Sequence, residues 1–297
     1  MSLAELRSLI ARHAREDMTT PVGHVMLSSV TEPAPPSSST TGTTFALIAQ
    51  GAKSLALGNR IYEYRAGQYL VASVDVPVTG QFTEASPTLP ALGFGLTLRP
   101  AVIAELLLGH AAELPLADRA TAGSGVAVSD ASPRLLDAVV RMVRLLDHPR
   151  DLPVLAPLIE REILWLLITG EQGATVRHLG LAESSLTRVG HAVNWIRDHY
   201  ADAIRVDELA SISRMSPSAF HRSFQAVTAM SPIQFQKQIR LQEARILLMS
   251  APREVARTAF AVGYESASQF SREYRRQFGA PPGQDAARLR PAGMPRT

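Results

Sequence analysis

Cysteine is absent from the 297 residues, so disulfides, cysteine-ligated zinc and thiol chemistry are excluded. A chain without cysteine suits a reducing cytoplasm, the compartment expected for it. Lysine is almost absent too: of 30 basic residues only Lys53 and Lys237 are lysine, and the rest are arginine. No stretch approaches the ~20 apolar residues that a membrane span needs. The amphipathic start MSLAELRSLIARHARED, with Leu3, Leu6 and Ile10 on one side, lacks the unbroken apolar run of a signal peptide. No membrane partner is expected. Between residues 44 and 100 there is no histidine, an absence that bears on metal chemistry below.

What is present is a globular composition, 46% hydrophobic and 19% charged, long enough for two domains. The net charge of +3 is unevenly spread. Residues 189–290 hold 14 Lys+Arg against 9 Asp+Glu, while the remainder holds 16 against 18. Basic charge confined to one segment points to a polyanion partner.

Hydrophobic periodicity divides the chain. After a helix over 1–17, residues 18–43, with PAPPSSSTTGTT at their centre, read as a loop. From 44 onward, short apolar runs split by QGAK, LGNR, RAGQ and VPVTG predict strands of an antiparallel sandwich or barrel. GNR reads as a tight hairpin turn, with Gly58 and Asn59 tolerating positive φ. LGFGLTLR, 92–99, is a further strand. Helical spacing then takes over at 100–109, 132–148 and 152–170. In the second of these Leu135, Val139, Met142 and Leu146 share a stripe. The third is apolar on more than one side, so it is buried either in the sheet domain or against a second copy, and dimerisation through 132–170 is expected. Residues 1–170 therefore form one domain, 171–186 a linker, and 187–290 an all-α domain.

The all-α domain repeats itself. VDELASISRMSPSAFHRSFQAVTAMSP, from Val206, and VARTAFAVGYESASQFSREYRRQFGAPP, from Val255, match at an offset near 50. Ala210 corresponds to Ala259, Phe220 to Phe270, Phe224 to Tyr274 and Pro232 to Pro282. Each unit is a helix, a turn and a second helix, giving helix-turn-helix patterns over 206–227 and 255–278. Ser216, followed by Pro217, and Ser266 are helix caps, and Gly263 closes the helix before the second turn. In each unit the aromatic residues take one side of the second helix. Ser218, His221, Arg222 and Gln225 take the other side in the first unit; Ser268, Gln269, Arg272, Arg275 and Arg276 take it in the second, with Glu273 the only acid expected there. Arg donates twice to guanine, Gln pairs with adenine, and Ser or His reaches phosphate or a base edge. Between the units PIQFQKQIRLQEARILLMS, 232–250, reads as a rod whose buried side comprises Ile233, Phe235, Ile239, Leu241, Ala244, Ile246, Leu247 and Leu248. One such helix alone is ordinarily a solvated face. Two in tandem, with matched caps, a rod between them and local positive charge, point to double-stranded DNA.

At these residues the chain resembles the AraC/XylS family of bacterial transcription regulators. The match rests on RVDELA, SPSAFHRSF, SPIQFQKQIRLQEARILL and VARTAFAVGYESASQFSREYRRQFGAPP, over about 189–285. The resemblance implies DNA contacts by Ser218, His221 and Arg222, then Ser268, Gln269 and Arg272. The stretch QGAKSLALGNRIYEYRAGQYLVASVDVPVTGQFTEASPTLPALGFGLTL resembles the N-terminal domain of one subgroup of that family. This implies a cupin-like β-sandwich followed by dimerising helices, hence an α+β chain, and a domain that senses a small molecule or dimerises.

A metal cupin needs a His-x-His pair with a downstream Glu and a later His on facing strands. The histidine-free sheet segment lacks this set, so no cofactor, metal or catalytic residue is expected. A sandwich interior lined by Phe45, Gln50, Tyr62, Tyr69, Phe82 and Phe94 would hold an apolar or aromatic effector. Those aromatics equally well fill a core. Gln50, Tyr62 and Tyr69 stand out because an inward polar tip needs a partner. The reading is a regulator that meets promoter or operator DNA, RNA polymerase, a small-molecule effector and a second copy of itself. A cupin-type enzyme tethered to DNA and a ligand-independent dimeric regulator are the alternatives.

Overall fold

A computed structural model of the chain describes residues 3–33, 35–110, 125–180, 185–250 and 255–289. The N-terminal half holds nine strands: β1 Val25–Val30, β2 Ser37–Thr40, β3 Thr44–Gln50, β4 Ala52–Leu57, β5 Arg60–Arg65, β6 Gln68–Ala72, β7 Pro77–Glu84, β8 Ala91–Thr97 and β9 Val126–Asp130. They form two antiparallel sheets, β1-β8-β3-β6-β9 and β2-β7-β4-β5. The predicted sandwich is therefore present, and the stretch 18–43 read as a loop carries β1 and β2. Strand β2, SSST, is an edge strand whose residues are half-exposed or exposed. Its polar composition therefore resembles that of a loop.

Alternation sorts the five-stranded sheet into two faces. Phe45, Leu47 and Ala49 of β3, Tyr69 and Val71 of β6, and Leu92, Phe94 and Leu96 of β8 pack against helices. Ile48, Leu70, Ala72 and Val126 turn toward the second sheet. The covering helices are α1 Leu3–His13, α2 Pro100–Gly109, α3 Pro133–Arg144 continued by a 3₁₀ turn at Leu145–Asp147, α4 Leu152–Thr169 and α5 Gly173–Gly180. Leu135, Val139, Met142 and Leu146 are buried together in that layer. Helix α5 occupies most of the segment expected to be a bare linker, and its Val176 belongs to the same core. Residues 181–184 of that segment lie outside the described residues. Wholly buried Glu160 on α4 is ion-paired to Arg99 and lies 3.1 Å from His24 Nε2. A buried carboxylate needs such partners.

The C-terminal half consists of α6 Ser185–Asp198, α7 Val206–Ile212, α8 Pro217–Thr228, α9 Pro232–Ser250, α10 Val255–Ala261, α11 Ala267–Phe278 and α12 Pro282–Leu289. Ala210 and Ala259 are buried where α7 and α10 pack within their units. On α9 Phe235, Ile239, Leu241, Ala244 and Leu248 are buried, whereas Ile233 and Ile246 are exposed. So many apolar residues cannot share one stripe of a 3.6-residue helix.

The two halves share a core. Leu55, Leu57, Val74, Val76 and Val78 of the sandwich join Val189, Val193, Phe220 and Phe224 of the helical half in one cluster. The Gly125 amide donates to the Val227 carbonyl at 3.2 Å. Gln242 Nε2 donates to the Ser39 carbonyl at 3.0 Å, and Arg197 pairs with Asp75. The β4–β5 hairpin turns through Gly58 and Asn59, with only Gly58 at positive φ (+59°), the glycine-first pattern of a two-residue turn. A Cβ on Gly58 would lie 2.6 Å from the Ala229 carbonyl oxygen, so the hairpin tip abuts the end of α8 at backbone distance.

Candidate nucleic-acid interface and ligand cavity

Helix α8 starts at Ser216, whose hydroxyl accepts from the Ala219 amide at 3.4 Å, with Pro217 at the first helical position. Helix α11 starts at Ser266, whose hydroxyl accepts from the Gln269 amide at 3.3 Å. Both helices end in a left-handed residue, Ala229 and Gly279. Phe220 and Phe224 of α8 are wholly buried and stack toward Phe235 of α9. Phe270 and Tyr274 of α11 are wholly buried in the same way. Burying these aromatic pairs fixes the rotation of each helix about its axis. What remains outward is Ser218, His221, Arg222 and Gln225 on α8, all exposed, and Ser268, Arg272, Arg275 and Arg276 on α11, all exposed. Gln269 is half-buried.

Glu273 departs from expectation. It is turned inward, 3.0 Å from Lys237 Nζ on α9, and accepts from the Tyr264 hydroxyl at 2.9 Å and from Gln269 Nε2 at 3.2 Å. Burial pushes its carboxyl up, but hydrogen bonds from Lys237, Gln269 and Tyr264 outweigh this and hold it below the ordinary carboxylate value. Burial, then the bond to Glu273, drives the Tyr264 phenol above its usual range. The outward face of α11 is thereby left with no acid.

Helix α9 ties the two units into one body. Arg240 donates to the carbonyls of Tyr200 (2.6 Å), Gly263 (2.7 Å), Ala201 (3.2 Å) and Asp202 (2.9 Å). It therefore joins the end of α6 to the turn before α11. Arg245 pairs with Asp285 of α12 at 2.8 Å, and Asp285 accepts from the Tyr274 hydroxyl at 2.9 Å. With 19 residues α9 is ~28 Å long. Sequence periodicity carried no sign of these polar braces, because Arg240 and Lys237 fall at positions that a helical wheel alone would assign to solvent.

In the sandwich the six residues singled out by sequence separate. Phe45, Tyr69 and Phe94 stand on the helix side of the five-stranded sheet, with Phe45 5.3 Å from Tyr69 and 6.0 Å from Phe94 between ring centres. Gln50 Nε2 donates to the Pro90 carbonyl at 2.8 Å. Tyr62 and Phe82 lie on the side where the sheets face each other. There a cavity of about 310 Å³ opens, lined by Ile48, Leu55, Leu70, Val78, Phe82 and the polar residues Lys53 and Tyr64, among others. Sequence reading passed over Lys53 and Tyr64, although both share the inward phase of their strands with Leu55 and Tyr62. Among the described residues no group of three His, Cys, Asp or Glu side chains is placed to hold a metal ion. No described helix is long and apolar enough to cross a membrane.

Comparison with known proteins follows this division. The model of the AraC-type transcriptional regulator N-terminus matches residues 21–175, and that of a helix-turn-helix domain matches residues 209–288. The HTH-type transcriptional activator RhaS of Escherichia fergusonii is 31% identical over 100 residues, 34% of this chain and 36% of RhaS. The HTH-type transcriptional regulator MtrA of Neisseria gonorrhoeae is 32% identical over 97 residues, 33% of this chain and 32% of MtrA. The chain thus spans about a third of the length of these two relatives. Wild-type ToxT from Vibrio cholerae, solved with an unsaturated fatty acid bound, is similar in fold over 92% of this chain and 97% of its own, with a TM-score of 0.55 at 10% identity.

Proposed function

The chain belongs to the AraC-type transcriptional regulators, and from its geometry we propose that α8 and α11 enter successive major-groove segments of one promoter or operator duplex. The observation that carries this reading is the pair of exposed stripes, Ser218, His221, Arg222 and Gln225 on one helix and Ser268, Arg272, Arg275 and Arg276 on the other, with half-buried Gln269 beside the second, on rods held by the single strut α9. A helix fits the major groove, whose repeat is ~34 Å, and a good bidentate contact there supplies roughly 1–3 kcal/mol of base discrimination. Arg222 and Arg272 are assigned to base edges, Ser218 and Ser268 to phosphate or a base edge.

The inter-sheet cavity is assigned to a small-molecule effector. Its described lining holds hydroxyls and one charged group, Lys53, with no carboxylate or imidazole, a binding and not an acid–base arrangement. The shared core of the two halves gives a ligand in the sandwich a route to the presentation of α8. RNA polymerase is the partner that a promoter-bound copy would meet, and the cytoplasm is the compartment. Two copies pair through α4, where Val154 and Leu158 stand 66% and 59% exposed. Sedimentation showing a monomer at micromolar concentration would remove that pairing.

Selection of sites from a random duplex pool tests the DNA reading. Arg272→Ala is expected to weaken the selected site by about tenfold or more and to relax preference at one base pair. Equal weakening on every sequence would reduce Arg272 to a phosphate contact.

A further inference from the structure

Lys53 is one of two lysines in the chain. It stands in the middle of the sandwich. In the register of the four-stranded sheet Lys53 lies directly opposite Tyr64 of β5 and directly opposite Phe82 of β7. Opposite residues of an antiparallel pair share a face, and all three line the inter-sheet cavity. The Lys53 ammonium lies 5.0 Å from the centre of the Phe82 ring. No carboxylate among the described residues pairs with it, and burial alone pulls its pKa below the usual lysine value. The Tyr64 hydroxyl, nearly wholly buried, also has no hydrogen-bond partner among the described residues. Lys53 is half-buried, and two donors thus face the cavity with no bonded acceptor among the described residues. A ligand acceptor placed between them would supply that bond.

Charge narrows the ligand. Ile48, Leu55, Leu70 and Val78 offer apolar surface, hydroxyl residues such as Ser28 and Thr44 also line the space, and Lys53 is the one charged residue in the described lining. The inward positions of β8 are Gly93 and Gly95, so that strand puts no side chain into the space. One ammonium and one hydroxyl match a single negative charge, and a dianion such as a phosphate monoester would keep one charge uncompensated in that wall. At about 310 Å³ the cavity is at the small end of ligand sites.

We propose that this cavity binds a monocarboxylate with a compact apolar body, its carboxylate taken by Lys53 Nζ and the Tyr64 hydroxyl and its body lying against Ile48, Leu55, Val78 and Phe82. The assignment deepens the effector reading above and rests on it for a regulatory consequence, though binding itself stands apart from DNA. No second charged group stands in the described lining, so charge recognition falls on one end of the ligand and shape on the other.

The test is calorimetric titration of the full chain with benzoate, 4-isopropylbenzoate and octanoate, each beside its neutral amide. At least one acid is expected to bind the wild type while its amide does not. Lys53→Met, close in volume and apolar, should keep the thermal transition and lose at least about tenfold in affinity. Tyr64→Phe should bind more weakly than wild type and more tightly than Lys53→Met. Absence of binding by every acid, equal binding by an amide, or unchanged affinity in Lys53→Met overturns the proposal. Operator affinity measured with and without the bound acid separates the two readings. Lys53-dependent binding that leaves operator affinity unmoved keeps the site and removes its effector role. An operator response to a compound that binds Lys53→Met equally well keeps an effector role and removes this site.

Discussion

Glu273 belongs to the reading helix in sequence and to the scaffold in space. Three donors converge on it, Lys237 from α9, Tyr264 from the turn before α11 and Gln269 from one turn back on α11 itself. Its carboxyl is held below the ordinary value of 4.5, so the stability that it contributes is fully present above that value and is lost as pH falls through the lower folded value. Glu273→Gln is expected to cost about 1–3 kcal/mol at neutral pH, the penalty for a charged hydrogen-bond acceptor replaced by a neutral one. Urea unfolding at several pH values should show that deficit shrink as wild type loses its own contribution in acid. A deficit that is the same in acid as at neutral pH would contradict the assignment. At this scale sequence was a poor guide where polar residues point inward. Glu273 is buried, Lys237 reaches in to it and Lys53 faces the inter-sheet cavity, and hydropathy assigns such residues to water by default.

At the scale of elements, the helical half was legible almost to the residue. The rod 232–250 coincides with α9, and the caps Ser216 and Ser266 begin the helices as read. The reason is physical: an aromatic every four residues and a serine with a free hydroxyl at the first turn leave few alternatives. Strands were harder. Edge strand β2 is SSST and β9 is VAVSD; both take their pairing from neighbours far away in the chain. Helix α5, likewise, is fixed by packing on α2 and α4 and not by its own short sequence. Each cap satisfies an orphan amide, so Ser216→Ala and Ser266→Ala are each expected to cost about 1 kcal/mol of stability. The check is chemical denaturation. The pair should add, since the two caps share no partner. A cost near zero for both would mean that the aromatic packing alone sets where α8 and α11 begin.

For the whole molecule, the central feature is a helical half that is not free of the sheet half. Phe220 and Phe224, which orient α8, share a core with Leu55, Val76 and Val78 of the sandwich. The hairpin at Gly58 touches the end of that helix, and a cleft between them is lined by Asn59, Arg60, Arg222 and Gln225. Helix α11 is braced to the rest through α9, by way of Arg240 and Arg245, and shares a cleft with Gly58 and Asn59 of the hairpin. The sheet half therefore bears on one reading helix directly and on the other through the strut. Sequence patterning carries no sign of this shared core, because Leu55 and Val78 fit a sandwich interior whether or not a second domain continues it.

Hydroxyl-radical footprinting of the full chain on a selected operator tests the central claim most directly. Each bound copy is predicted to protect two patches on one side of the duplex about one helical turn apart, with Arg222→Ala eroding one patch and Arg272→Ala the other. A single patch per copy, or loss of both patches together in either variant, would contradict a chain that reads successive grooves with two rods on one strut.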